Sequence, residues 1–216
     1  MIIHSPIFFY CFYHFLFSAL TFFKKYIIII LEIKVVNVVK IKRKDGNEKM
    51  RKLFTDGSCS KNPGPGGYGV VLIEDNEIKY IHHEQCEDTT NNREELKAIL
   101  HAFQYACDNF RFENVLIYCD SAYCVNMIND WIWTWARNGW KNSKKKEVEN
   151  IDLVKQIYKY LTMEFFPCQV IKVKGHAGSV GNELADALAT FDNNKYQKIL
   201  STNDLVEHFV EKNENL

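Results

Sequence analysis

From Met50 onward the spacing of apolar residues changes period in blocks, and each change marks the end of an element. Arg51 to Thr55 reads as a strand leading into a glycine-rich turn, Gly57 to Gly69. Tyr68 to Glu74 and Glu77 to Glu84 read as two further strands around the turn Asp75-Asn76. Leu96, Ile99, Leu100, Phe103 and Cys107 then recur on one helical face, so Thr89 to Cys107 reads as a helix that the Thr and Asn residues at its start can cap. Val115 to Cys119 is short and wholly apolar, as suits a strand buried in the centre of a sheet, and it ends on Asp120. A helix (Ser121 to Trp135), a basic loop (Arg137 to Lys146), a helix (Ile151 to Met163), a fifth strand (Gln169 to Val173) and a closing helix (Glu183 to Phe191) follow. The order βββαβααβα predicts an α/β fold, a five-stranded mixed sheet flanked by helices.

The first 49 residues have a different texture. Ile7 to Phe23 is dominated by Phe, Tyr, Ile and Leu, Lys24-Lys25 interrupts it, and Tyr26 to Leu31 resumes it. The stretch resembles a membrane segment, yet it falls short of the roughly 20 apolar residues that a span needs and contains His14. Residues 1–49 are therefore expected to be sequence read from an early start codon, with a membrane anchor over 7–31 or a targeting segment as the alternatives. Residues 50–193 are expected to form one domain and 194–216 a mostly polar, mildly amphipathic tail.

The 27 basic and 27 acidic residues cancel, so a polyanionic partner can only be announced locally. Seven cysteines without a C-x-x-C pair argue against a disulfide framework and against structural zinc, and fit a reducing, intracellular compartment.

Candidate chemistry enters with four acids at predicted element ends: Asp56, Glu95, Asp120 and Asp186. Alone, each reads as a turn-former or a surface charge. Converging, they would repel unless divalent cations sat among them, and an all-oxygen set indicates Mg²⁺ or Mn²⁺ before zinc. Two such ions roughly 4 Å apart suit a phosphodiester displacement.

The stretches Phe54-Thr55-Asp56-Gly57-Ser58-Cys59, Asn62 to Gly69 (NPGPGGYG), Thr89 to Leu96 (TTNNREEL), Asp120-Ser121 and Val173 to Gly178 (VKGHAG) resemble type 1 ribonuclease H, in order, from about Arg51 to Phe191. The resemblance implies a ribonuclease H-like fold and an endonuclease that hydrolyses the RNA strand of RNA/DNA hybrids with two Mg²⁺ ions, Mn²⁺ being able to substitute, and leaves 5′-phosphate and 3′-hydroxyl ends. It selects Glu95 over Glu94, which is left as a helix-start charge. It makes Asp56 the ligand shared by both metals, Glu95 and Asp120 ligands on the leaving-group side, Asp186 the ligand on the attacking-water side, and His176 a mobile proton-transfer or product-release residue. It places Cys59, Asn62, Asn91 and Asn92 against the hybrid, and Thr90 and Asn150 around a DNA-strand phosphate. Ala122 stands where bacterial relatives have Gln and Asp88 where many have Arg, which implies a weaker grip on the hybrid without touching the metals. A monomer that acts without a protein partner, in the cytoplasm or with the genome, is the implied setting.

The local charge is the segment Arg137 to Lys146, with Arg137, Lys141, Lys144, Lys145 and Lys146 and no acid. Trp131, Trp133, Trp135 and Trp140 precede and interleave it. Basic residues among aromatics suit a nucleic-acid backbone, and the family's basic protrusion occupies this place; the competing reading is that the tryptophans only pack two helices together. The rival functions are a non-catalytic hybrid-binding module on the same fold and a nuclease domain cut from a reverse transcriptase or transposase.

Overall fold

The computed structural model describes residues 51–110, 113–164, 166–175, 177–203 and 205–207, all within one compact unit, residues 49–216. The apolar stretch 7–31 and His176 lie outside the described residues. No helix among those described is long and apolar enough to cross a membrane.

The strand β1 (Arg51–Cys59) carries a parallel partner, β4 (Val115–Cys119), on one side and an antiparallel one, β2 (Gly64–Glu74), on the other. β5 (Cys168–Lys172) adds in parallel to β4, and β3 (Glu77–Thr89) adds antiparallel to β2, giving the predicted mixed sheet. A sixth strand, β6 (Val206–Glu207), pairs with Glu77 and Ile78, so the full order is β5-β4-β1-β2-β3-β6.

Alternation along the strands divides the core into two layers. Leu53, Tyr68, Val70 and Leu72 face helices α1 (Asn91–Asn109) and α4 (Ile151–Leu161), where Leu96, Ile99, Phe103, Leu153 and Ile157 are buried with them. Val71 and Ile78, with Phe54 beside them, face α5 (Val180–Ala189) and α6 (Asn193–Thr202) through Leu184, Leu188 and Tyr196. Each fully buried Leu or Ile contributes about 1.5–3 kcal/mol, and β1 lies between the two layers.

Three expectations change. β1 runs four residues beyond Thr55, because the glycine-rich stretch is mostly strand: Ser58 and Cys59 pair with Gly67 and Gly66. Glycine serves close approach there, for a Cβ on Gly69 would reach 2.7 Å from the Leu188 Cβ of α5. The helical run after Asp120 spans 122–137, but only α2 (Ala122–Asn126) and α3 (Ile132–Arg137) are α-helical, with a π turn over Met127–Trp131 between them. The polar tail is ordered at its start, since Tyr196, Ile199 and Leu200 recur at helical spacing and pack on α5.

Candidate metal centre and the surface beside it

The register of β1 and β4 pairs Thr55 with Cys119, so the next residues, Asp56 and Asp120, leave the two central parallel strands side by side. Asp56 thus lies within β1, opposite Gly69, and not just past its end. Glu95 comes from above. Thr90 caps α1 by accepting the Arg93 N–H at 3.4 Å, and α1 lies so close on β1 that a Cβ on Gly57 would overlap the Glu95 backbone. One carboxylate oxygen from each of Asp56, Glu95 and Asp120 lies within 4.8 Å of the others. Asp186, midway along α5, adds its negative charge beside Asp56.

Burial first, then the charges of Asp120 and Asp186, push the Asp56 carboxyl up to about 9. Burial likewise holds Glu95 well above the usual carboxylate range, with Cys119, Asp56 and Asp120 adding to it and Lys172 opposing. The chain supplies little compensation. The Lys172 ammonium binds the carbonyls of Asp120 and Val173, at 2.5 and 3.1 Å, and Lys195 sits at the outer side on Asp186. Carboxylates crowded this way with no cation at their centre fit a divalent ion, which would restore their charged forms.

Four partners of the centre were not singled out from the sequence. Asn182, 1% exposed, donates to Asp120 Oδ2 at 3.2 Å, and its Oδ1 has no partner among the described residues. Cys119 is buried with its thiol 4.0 Å from Glu95 Oε2. Gly175 leaves room that a Cβ, 2.6 Å from Asp120 Oδ2, would fill. Lys195 belongs to the segment read as tail. Of these, Lys195 had a readable signal: Asp192 as a cap three residues earlier, with Tyr196, Ile199 and Leu200 behind it. Glu94 is in the first turn of α1 as expected, but it is fully buried and accepts from Thr89 Oγ1 at 2.5 Å and Lys97 Nζ at 2.7 Å, so it is a core residue more than a dipole charge.

Beside the centre, the predicted substrate residues fall into two groups. Asn62 Oδ1 accepts the Asn91 N–H at 3.2 Å, bringing Asn62, Asn91 and Asn92 together on an exposed edge; the Cys59 thiol points inward to the carbonyls of Lys61, Gly64 and Thr89. Thr90 and Asn150 are brought together by Arg93, which donates to Asn150 Oδ1 at 3.2 Å and grips both oxygens of Asp152 at 3.0 and 2.6 Å. That guanidinium holds Asp152 below the usual carboxylate range.

The second group is the basic loop. Trp131, 36% exposed, lies tilted against Trp135 at 5.9 Å and meets Tyr123 edge-on at 6.0 Å. Trp133 and Trp140 both flank Tyr158 of α4, at 5.7 and 5.3 Å, and Trp140 packs against the core. Packing and exposure are thus divided among the four tryptophans. Gly139 and Trp140 have left-handed backbones (φ 75° and 63°), which turns the chain back so that the Trp140 N–H reaches the Trp135 carbonyl at 2.7 Å. Asn142 then organises the lysines: its Oδ1 accepts from the N–H groups of Lys144 at 2.9 Å and Lys146 at 3.2 Å. Arg137, Lys141, Lys144, Lys145 and Lys146 are all exposed.

An open α/β sheet whose two central parallel strands deliver acids to one buried, cation-deficient cluster defines a class, that of metal-dependent α/β enzymes with a carboxylate centre. The comparisons give the family. A family model described as RNase H matches residues 48–193. The chain is 44% identical over 138 residues to the Ribonuclease H of Caldicellulosiruptor saccharolyticus, covering 63% of this chain and 91% of that protein. It is 38% identical over 160 residues to that of Orientia tsutsugamushi, covering 74% and 92%. Among solved structures, a foamy viral protease-reverse transcriptase in complex with RNA/DNA hybrid matches with TM-score 0.59 and 26% identity, over 74% of this chain and 22% of that one. A type 1 RNase H with the type 2 active-site motif shares the fold, at TM-score 0.56 and 24% identity, over 76% and 89%. The chain belongs to the ribonuclease H family, type 1, and is a nuclease.

Proposed function

We propose that the chain hydrolyses the RNA strand of RNA/DNA hybrids at a two-metal centre made of Asp56, Glu95, Asp120 and Asp186, with Mg²⁺ as its ion and Mn²⁺ able to substitute. The observation that supports this reading is the place of Asp56: it shares one cluster with Glu95 and Asp120, and the charge of Asp186 helps to raise its carboxyl, so it neighbours all three other acids as a shared ligand would. Glu95 and Asp120 hold the leaving-group side and Asp186 the attacking-water side.

Bound there, divalent ions supply Lewis acidity and offset negative charge at the phosphate. The chain's own groups do the rest. Asn182 fixes the Asp120 carboxylate by donating to it. The buried setting of Asp56 and Glu95 limits water around the reacting phosphodiester. A water oxygen joins the phosphorus as the bond to the 3′ oxygen breaks, leaving a 5′-phosphate and a 3′-hydroxyl, so no side-chain nucleophile is needed. His176 serves proton transfer or product departure.

Asn62, Asn91 and Asn92 read the wide minor groove and its 2′-hydroxyls, the feature that distinguishes an RNA strand. Thr90 and Asn150 seat a phosphate of the DNA strand, and Arg93, itself held by Asp152, fixes the Asn150 side chain. The lysine turn and Trp131, Trp135 and Trp140 hold the DNA strand further out. The chain works as a monomer.

Incubation with Mg²⁺ and labelled hybrid, single-stranded RNA or duplex RNA, beside Asp120→Asn, tests this. Cutting of the hybrid's RNA alone, with 5′-phosphate ends and no activity in the variant, is expected. Equal cleavage of duplex RNA, or an active Asp120→Asn, would overturn it.

A further inference from the structure

The outer side of the acidic centre is closed by a cation that the chain itself provides. α6 is capped by Asp192, whose side chain accepts the Lys195 N–H at 2.9 Å, and its inner face is fastened by Tyr196, 6% exposed, with Ile199 and Leu200 against α5. Lys195 is therefore aimed by a packed helix. Its ammonium bonds Asp186 Oδ2 and lies 3.0 Å from Glu183 Oε2. Glu183 and Asp186 are three residues apart on α5, on one face, so the ammonium has two acceptors within one short swing.

We propose that Lys195 is the resident counterion of Asp186 while the centre is free of metal, and that a divalent ion binding at Asp186 displaces it towards Glu183. This rests on reading Asp186 as a ligand of the centre. The physical basis is competition for one oxygen. An ammonium on Asp186 Oδ2 occupies a position that a small hard cation needs, and two cations held on the same carboxylate repel. Lys195 thus sets how much metal the chain requires, and Glu183 lowers that requirement by receiving the ammonium. It is a positioning residue, acting on the metal through Asp186.

The two neighbours predict effects of opposite sign. In calorimetric titration of the metal-free protein with Mn²⁺, without nucleic acid, Lys195→Gln binds roughly two- to fivefold more tightly, the scale of a partly exposed ion pair. Lys195→Arg stays close to the parent, and Glu183→Gln binds more weakly, because the ammonium then has Asp186 alone. In thermal melts, Lys195→Gln lowers the midpoint of the metal-free protein and enlarges the rise produced by Mn²⁺, which a general loss of packing does not do. Unchanged or weaker Mn²⁺ binding in folded Lys195→Gln, or tighter binding in Glu183→Gln, overturns the proposal. Asp186→Asn separates the layers: if it binds Mn²⁺ as the parent does, the reading of Asp186 as a ligand fails. If it binds weakly while Lys195→Gln is unchanged, only the role of Lys195 fails.

Discussion

The acidic end of the sheet and the lysine turn both crowd like charges, and they carry the crowding in opposite ways. Asp56 and Glu95 are 7% and 5% exposed, fixed by strand register and by a helix lying directly on β1, and their carboxyls are driven towards the neutral form. Lys144, Lys145 and Lys146 are exposed and held only by the Asn142 side chain and the Asn142–Lys146 turn bonds. Water screens the lysines, so their repulsion costs folding little. The acids have no such screen, and a divalent ion bound among them would relieve their repulsion. A rigid centre with an unfavourable charge beside a compliant, solvated handle suits an enzyme that places reacting atoms closely and holds a polyanion loosely.

The sharpest test of the rigid side is the pair of adjacent glutamates. Glu95→Gln is expected to reduce hybrid cleavage by about a thousandfold or more, since a metal ligand supplies several kcal/mol of transition-state stabilisation. Glu94→Gln should leave cleavage at saturating Mg²⁺ near the parent's and cost about 1–3 kcal/mol of stability, measured by denaturant unfolding, through its bonds to Thr89 and Lys97. The reverse pattern would break the comparison.

On the compliant side, replacing Lys144, Lys145 and Lys146 together by Ala should weaken hybrid binding about tenfold and reduce the slope of log affinity against log salt by roughly two. Mn²⁺ affinity without nucleic acid should not move.

A third outcome concerns pH. Asp56 is protonated more tightly in the folded chain than in the unfolded one, so its contribution to stability is full below about pH 4 and is lost as pH rises towards about 9. Metal-free protein should therefore melt at lower temperature at pH 8 than at pH 6. Asp56→Asn should raise the pH 8 midpoint by about 2–4 °C for each kcal/mol of relieved repulsion. A metal-free midpoint that rises with pH across this range would contradict the account. The smallest effect is expected from Asn142→Ala, which removes two turn bonds and should weaken hybrid binding only about threefold.

Much of this difference is legible in the sequence. The acids are found because strand ends and helix starts have period signals, and because the spacing from Asp56 to His176 resembles a known series. The fold order is found for the same reason, and Thr90 caps its helix as its position predicts. What stays hidden is set by contacts distant in sequence. Glycines 67 and 69 look like a turn because the residues that crowd them, Phe191 and Leu188, lie more than a hundred positions on. Asn182 shows nothing of its partner Asp120, and the cap and spacing that put Lys195 on a helix do not point to Asp186. Asn142, an ordinary polar residue in a lysine run, shows its role only when its oxygen is seen to receive two backbone N–H groups.

That buried, mutually repelling carboxylates form the metal site has a thermodynamic signature. Calorimetric titration of the metal-free protein with Mn²⁺ at pH 7.5, repeated in buffers of different ionisation enthalpy, tests it most directly. Binding accompanied by proton release is expected, because an Asp56 carboxyl raised to about 9 must give up its proton to hold the ion, and that release should be lost in Asp56→Asn. Binding without proton release, or equally tight binding to Asp56→Asn, would contradict it.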